Sequence, residues 1–109
     1  MIVDFLTQCR AAGVPDPKPE HKFHPKRKWA IDWSWGAPFF VAFEQEGGTR
    51  QGGRHNRHEG FSRDVEKYNE LALMGYLLVR ATTEQVASGA ALRWVERALK
   101  LRGWNGKRD

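Results

Sequence analysis

The sequence predicts a mixed α/β domain, a small sheet flanked by helices. Apolar residues recur at helical spacing near both ends of the chain. Two central runs are patterned as strands, and a short apolar run at 76–80 follows a second helical pattern. At 109 residues the chain fits one domain spanning 1–109. Residues 1–19 read as a helix and an extended connector, 20–102 as the core, and 103–109 as a frayed tail.

Each element has its own signal. Ile2, Phe5, Leu6 and Cys9 lie on one helical face, and Gly13 and Pro15 end that helix. Val14 to Pro19 is proline-rich and extended. His21 to Lys28 is basic and reads as partly strand. In residues 29–35, Ile31, Trp33 and Trp35 are expected on one strand face, with Ala30, Asp32 and Ser34 on the other. Gly36-Ala37-Pro38 reads as a turn, and residues 39–45 as the returning strand of a hairpin. Residues 47–60 form a long glycine- and arginine-rich loop. A helix should follow, capped by Ser62 with Asp64 in its first turn, its stripe made by Phe61, Val65, Tyr68 and Ala72, ending at Gly75. Tyr76 to Arg80 reads as a buried strand, and the crossover from 39 to 80 is expected to be right-handed. Thr82 with Gln85 suggests a capping box. Leu92, Val95 and Leu99 mark a last helix over about 89–102.

Composition narrows the function classes. The net charge is +5, which favours a polyanionic partner over none, although ordinary solubility explains it equally well. A single cysteine, Cys9, excludes an intrachain disulfide and a cysteine-built zinc site. No apolar run is long enough to span a membrane, and the first ten residues lack a secretory pattern. No membrane partner and a cytoplasmic location are therefore expected.

The chemistry concentrates on two acids. With Gly36 to Pro38 as the turn, Trp35 pairs with Phe39 and Asp32 with Ala42. Asp32 and Glu44 then become diagonal neighbours within about 8 Å on one sheet face. Neither strand contains a lysine or arginine to pair with them, and a carboxylate is costly to desolvate without a counter-charge. An oxygen-rich site with few protein ligands suits magnesium, which can activate water and neutralise phosphate charge. The competing reading is a wet sheet face with no function. The following loop offers Arg54 as a phosphate clamp and His55 as base, acid or ligand, or it is simply a basic loop. Lys67 either pairs with Asp64 on the helix surface or leans toward the sheet to contact water or phosphate. Lys22, Lys26, Arg27 and Lys28 would supply phosphate contacts, or merely blunt an edge strand.

Several segments resemble, in order, the PD-(D/E)XK nuclease superfamily: Arg27-Lys28-Trp29-Ala30-Ile31-Asp32-Trp33, then Val41-Ala42-Phe43-Glu44-Gln45-Glu46-Gly47-Gly48, then Gly53-Arg54-His55, Gly60-Phe61, Asp64-Val65-Glu66-Lys67-Tyr68-Asn69 and Gly75-Tyr76-Leu77-Leu78-Val79-Arg80. More narrowly they are similar to small phage-type nucleases related to very-short-patch repair endonucleases and Holliday-junction resolvases. The resemblance covers roughly residues 20 to 100. It implies a restriction-endonuclease-like mixed sheet flanked by helices. It also implies DNA phosphodiester hydrolysis by a metal-activated water, in a phage protein acting in the bacterial host cytoplasm. Mg²⁺ or Mn²⁺ would be held by Asp32 and Glu44. The superfamily's lysine slot holds Glu46, read as a further ligand, with the missing positive charge supplied by Lys67 or His55. The expected catalytic set is Asp32, Glu44, Glu46, His55 and Lys67. The expected nucleic-acid contacts are Lys26, Arg27, Lys28, Arg54 and Arg57. DNA is the expected partner, with RNA left open. A homodimer is expected if branched junctions, which need two active sites, are the substrate. The alternative is a non-catalytic nucleic-acid-binding module with exposed tryptophans for stacking.

Overall fold

The computed structural model describes residues 4–46 and 57–106, the side chains of 57–63 excepted. Its elements are α1 (Phe5–Ala11), β1 (Lys18–Lys22), β2 (Ala30–Trp35), β3 (Val41–Glu46), α2 (Arg57–Leu73), β4 (Leu77–Thr82), α3 (Thr83–Ser88) and α4 (Ala90–Leu101). The strands form one sheet in the order β1-β2-β3-β4. The first three are antiparallel and β4 runs parallel to β3. The mixed α/β class and the parallel β3–α2–β4 crossover are both present. Among the described residues, no helix is long and apolar enough to cross a membrane.

Two apolar clusters sandwich the sheet. On one face Phe5 and Cys9 of α1, Val86 of α3, and Ala91, Val95, Ala98 and Leu99 of α4 pack on Trp35, Val41, Phe43 and Ala81. On the other, Leu71 of α2 packs with Phe23, Ile31 and Ala42, flanked by Trp29, Tyr68, Tyr76 and Leu78. The aromatics thus enlarge a core that a short chain could otherwise barely fill. The Phe5 and Phe43 rings lie 4.5 Å apart, centroid to centroid, tilted by 30°. The Trp35 indole N–H donates to Pro15 O at 2.7 Å, so its polar edge is satisfied inside the core. Arg102, just past α4, donates to the carbonyls of Phe39, Phe40 and Gly75. It pins the last helix to the β2–β3 turn and the α2–β4 connection.

The basic stretch His21 to Lys28 is partly strand, as expected: His21 and Lys22 close β1, and residues 23–29 connect it to β2. Three local readings differ from the structure. The proline-rich stretch ends in a strand: Lys18 and Pro19 pair with Ser34 and Trp33. Phe39 and Phe40 belong to the turn, because both amides donate to Gly36 O at 2.8 and 3.1 Å and Phe40 has a φ of 52°. The strand therefore starts at Val41, and the register moves by two residues: Trp35 pairs with Val41 and Trp33 with Phe43. Finally, α2 begins at Arg57, so Ser62 lies inside it. The face that α2 turns to the sheet is Lys67, Tyr68 and Leu71, while Val65 and Ala72 are exposed. A pattern scored on hydrophobicity alone misses a stripe that is half polar.

The capping box at α3 is formed as predicted. Thr82 Oγ1 accepts the Gln85 N–H at 3.1 Å, and Gln85 Oε1 accepts the Thr82 N–H at 2.9 Å. Gly89, in the left-handed region at φ 89°, ends α3 and opens α4. Thr82→Ala is expected to destabilise the domain by about 1 kcal/mol, read as a lower urea midpoint at unchanged slope.

Candidate active site

The sheet register sets four charged residues at one level. Continuing the pairing of Trp33 with Phe43 places Asp32 opposite Glu44, and Glu44 is the partner of Arg80 in β4. On the other side, Glu20 falls opposite Asp32, between the pairs Pro19–Trp33 and His21–Ile31. The row across the sheet is Glu20, Asp32, Glu44, Arg80. The two acids expected on neighbouring strands are therefore directly opposite rather than diagonal.

Here the regular ladder gives way to side chains. Glu44 Oε1 accepts the Asp32 N–H at 2.9 Å, and Asp32 Oδ2 accepts the Gln45 N–H at 2.8 Å. Each carboxylate takes a backbone donor from the opposite strand. On the β1 side, Glu20 has a φ of 49°, uncommon for a residue with a Cβ. Beyond this level β2 changes face. Ile31 packs in the α2-side cluster, whereas Trp33 and Trp35 pack on the α1/α3/α4 side. The expected common face of Ile31, Trp33 and Trp35 is thus broken at Asp32, because the carboxylates replace the ladder bonds that would keep the strand flat.

Glu44 is the best-held acid of the group and is buried. Its Oε2 receives Lys67 Nζ at 2.7 Å and the Tyr68 hydroxyl at 2.9 Å, both from α2. Lys67 therefore leans toward the sheet; its ion pair is with Glu44, not with Asp64. The Tyr68 hydroxyl is held protonated far above its ordinary range, by burial first and then by the charge of Glu44. Glu46 accepts Arg80 Nε at 2.7 Å, and the Arg80 guanidinium lies 4.9 Å from the Tyr68 ring centroid. The lysine slot of the resemblance is thus occupied by an acid that brings its own cation.

Asp32 is in a different environment. It lines a recess of about 360 Å³ with Pro19, Glu20, Trp33 and Gln45. Burial pushes its carboxyl above the ordinary 3.8, and Glu44 and Glu20 add to the rise; the Gln45 N–H and Lys67 oppose it. Excess negative charge around a half-buried acid is what a cation would relieve. Among the described residues, no group of three or more His, Cys, Asp or Glu stands close enough to cage an ion. A divalent ion beside Asp32 would have to keep much of its water and take only one or two carboxylate contacts, a mode magnesium tolerates. Asp32, with Glu44 Oε1 beside its backbone, would supply them.

The remaining expected residues divide by position. Lys26, Arg27 and Lys28 are exposed on the β1–β2 connection. His24 Nδ1 accepts the N–H groups of Lys26 and Arg27 at 3.1 and 3.0 Å, shaping that turn. Its Nε2 must then carry the proton and donate to Glu70, 3.2 Å away. Arg27 pairs with Glu66 of α2 at 2.8 Å and lies 4.0 Å over the Trp29 ring. The basic turn and Lys67 thus adjoin the same helix. Arg54 and His55 lie outside the described residues, and of Arg57 only its place as the first residue of α2 is described.

Sequence reasoning did not single out Tyr68, Arg80 or Glu20. Tyr68 reads as one more apolar stripe residue, and its hydroxyl role depends on Glu44 lying beneath it. Arg80 and Glu20 enter only through the strand register, which local pattern does not encode. Comparisons of the chain with protein-family models, curated proteins and solved structures found no match.

Proposed function

We propose that this chain is a metal-dependent endonuclease of the PD-(D/E)XK kind, hydrolysing DNA phosphodiester bonds. The observation that carries the reading is the interlocked pair of acids on adjacent strands, Asp32 and Glu44, with an ammonium from the crossover helix on Glu44. A structural role alone does not call for Asp32 to sit half-buried among like charges. Asp32 and Glu44 would hold Mg²⁺ or Mn²⁺, and Glu46, on its Arg80 hinge, is the further acid within the same charged group. Bound there, the ion would lower the proton affinity of a water and offset charge developing on phosphate. Lys67, held by Glu44 at 2.7 Å, or His55 of the loop would position that water. The exposed Lys26, Arg27 and Lys28, together with Arg54 and Arg57, would supply the phosphate contacts.

A second reading is a nucleic-acid-binding module without catalysis. One observation favours it: both Glu44 oxygens are already engaged, and Lys67 and Arg80 already balance Glu44 and Glu46. Nicking of supercoiled and of branched DNA, with and without magnesium, separates the two. The nuclease reading expects magnesium-dependent nicking that Asp32→Ala abolishes. Salt-sensitive DNA binding with no cleavage of either form, with magnesium or manganese, selects the binding module.

A further inference from the structure

The two edges of the sheet are treated differently. The β1 edge carries Lys18, Pro19 and Lys22 in exposed positions and is kinked at Glu20, where φ is 49°. Lysine, proline and a kink are the devices that stop an edge from pairing with another chain. The β4 edge, Leu77-Leu78-Val79-Arg80-Ala81-Thr82, has no proline, no lysine and no positive φ. Among the described residues, no strand lies beside it.

A groove runs along this open edge. It measures about 360 Å³ and is lined by Leu77, Val79, Trp94, Arg97, Ala98 and Leu101, among others. Trp94 is 38% exposed and Leu101 80%, while Leu73 and Met74, just ahead of β4, are 81% and 40% exposed. Large apolar side chains gathered beside an unpaired strand form a patch rather than scattered surface residues. The surrounding charge is mostly positive. Arg93, Arg97 and Lys100 follow one another at helical spacing along α4, all exposed, and the helix has a single acid, Glu96.

The geometry points to β4 and the α4 groove as a docking site for an extended, acidic peptide segment of a partner protein, added as a fifth strand. The backbone edge offers strand-type hydrogen bonds, the groove takes alternate apolar side chains, and Arg97 and Arg93 meet the acids between or beside them. A second copy of the chain is disfavoured, because pairing β4 with β4 would bring two arginine-rich α4 helices together in a protein of net charge +5. Nucleic acid matches the charge but not the strand edge or the aliphatic floor. The groove shares Arg80 with the charged row across the sheet, but Asp32, Glu44, Lys67 and Tyr68 do not line it, so the inference stands whether or not the chain cuts DNA.

Selection of a displayed random-peptide library on the full chain tests it, with enriched peptides then synthesised and titrated by fluorescence anisotropy. The expected result is enrichment of peptides that alternate apolar residues with acids. Their affinity should fall by about tenfold or more for Arg97→Glu and by a similar factor for Trp94→Ala. Both substituted side chains are exposed, and circular dichroism checks that both variants fold. The inference is overturned if no peptide is enriched, if enriched peptides lack acids, or if binding is indifferent to both substitutions. It is equally overturned if sedimentation shows a dimer that Trp94→Ala dissociates, since the second copy then occupies the edge.

Discussion

Asp32→Asn is expected to reduce magnesium-dependent nicking by roughly 10³-fold while raising the melting temperature of the metal-free protein. The two effects have one cause. Burial, reinforced by Glu44 and Glu20, holds the Asp32 carboxyl above its ordinary value of 3.8. The folded state therefore binds this proton more tightly than the unfolded chain does. Below the unfolded value both states are protonated and Asp32 costs nothing. As the pH rises through the folded value, the folded state alone bears the cost of a charged, half-desolvated acid. Asparagine keeps an acceptor for the Gln45 N–H and removes the charge. The melting difference between variant and wild type should thus vanish in strong acid and open toward neutral pH. Magnesium should narrow it by stabilising only the wild type. Thermal melts across pH, with chelator and with magnesium, check this. A variant less stable than wild type at neutral pH would show that the Gln45 contact outweighs the charge, and Asp32 would then be a structural residue.

Glu44→Ala should have the opposite effect on stability. It strips the partner from Lys67, whose side chain is only 16% exposed, and leaves the Tyr68 hydroxyl and Asp32 N–H without their acceptor. Breaking one side of a buried pair costs about 3–5 kcal/mol, against total stabilities of roughly 5–15 kcal/mol. At about 4–8 °C per kcal/mol in a small domain, the melting temperature should fall by more than about 12 °C. Lys67→Met removes the ammonium first, so adding Glu44→Ala to it should cost less than Glu44→Ala alone. A double-mutant cycle measures that coupling. Strictly additive losses would mean that the 2.7 Å contact contributes nothing through charge. Lys67→Met also bears on the proposed chemistry, since it should lower nicking at temperatures where circular dichroism shows the variant still folded.

The two acids are held differently, and the proposed cation site uses the difference. Glu44 is locked by three donors and defines the geometry; Asp32 retains an unfavourable charge that a ligand can relieve. Stability given up at one residue and secured at its neighbour is the usual pattern of a functional site.

Much of this was legible along the chain. Helical spacing of Phe5 and Cys9, and of Val95 and Leu99, located α1 and α4. The Thr82–Gln85 pair announced its capping box. The patterned runs around 30–35 and 41–45 located β2 and β3, and with them the strands that carry Asp32 and Glu44. These signals are local: they depend on side-chain period and on hydrogen bonds a few residues long. The register of β3 on β2, the turn-over of β2 at Asp32, and the arrival of Lys67 and Tyr68 over Glu44 are not local. They are set by how a turn closes through Gly36 O and by where Leu71 seats α2 on Ile31 and Ala42. Sequence alone determined which elements form and which acids are candidates. Tertiary structure decided which charges meet, because contacts between distant segments depend on packing, and packing is a property of the whole core.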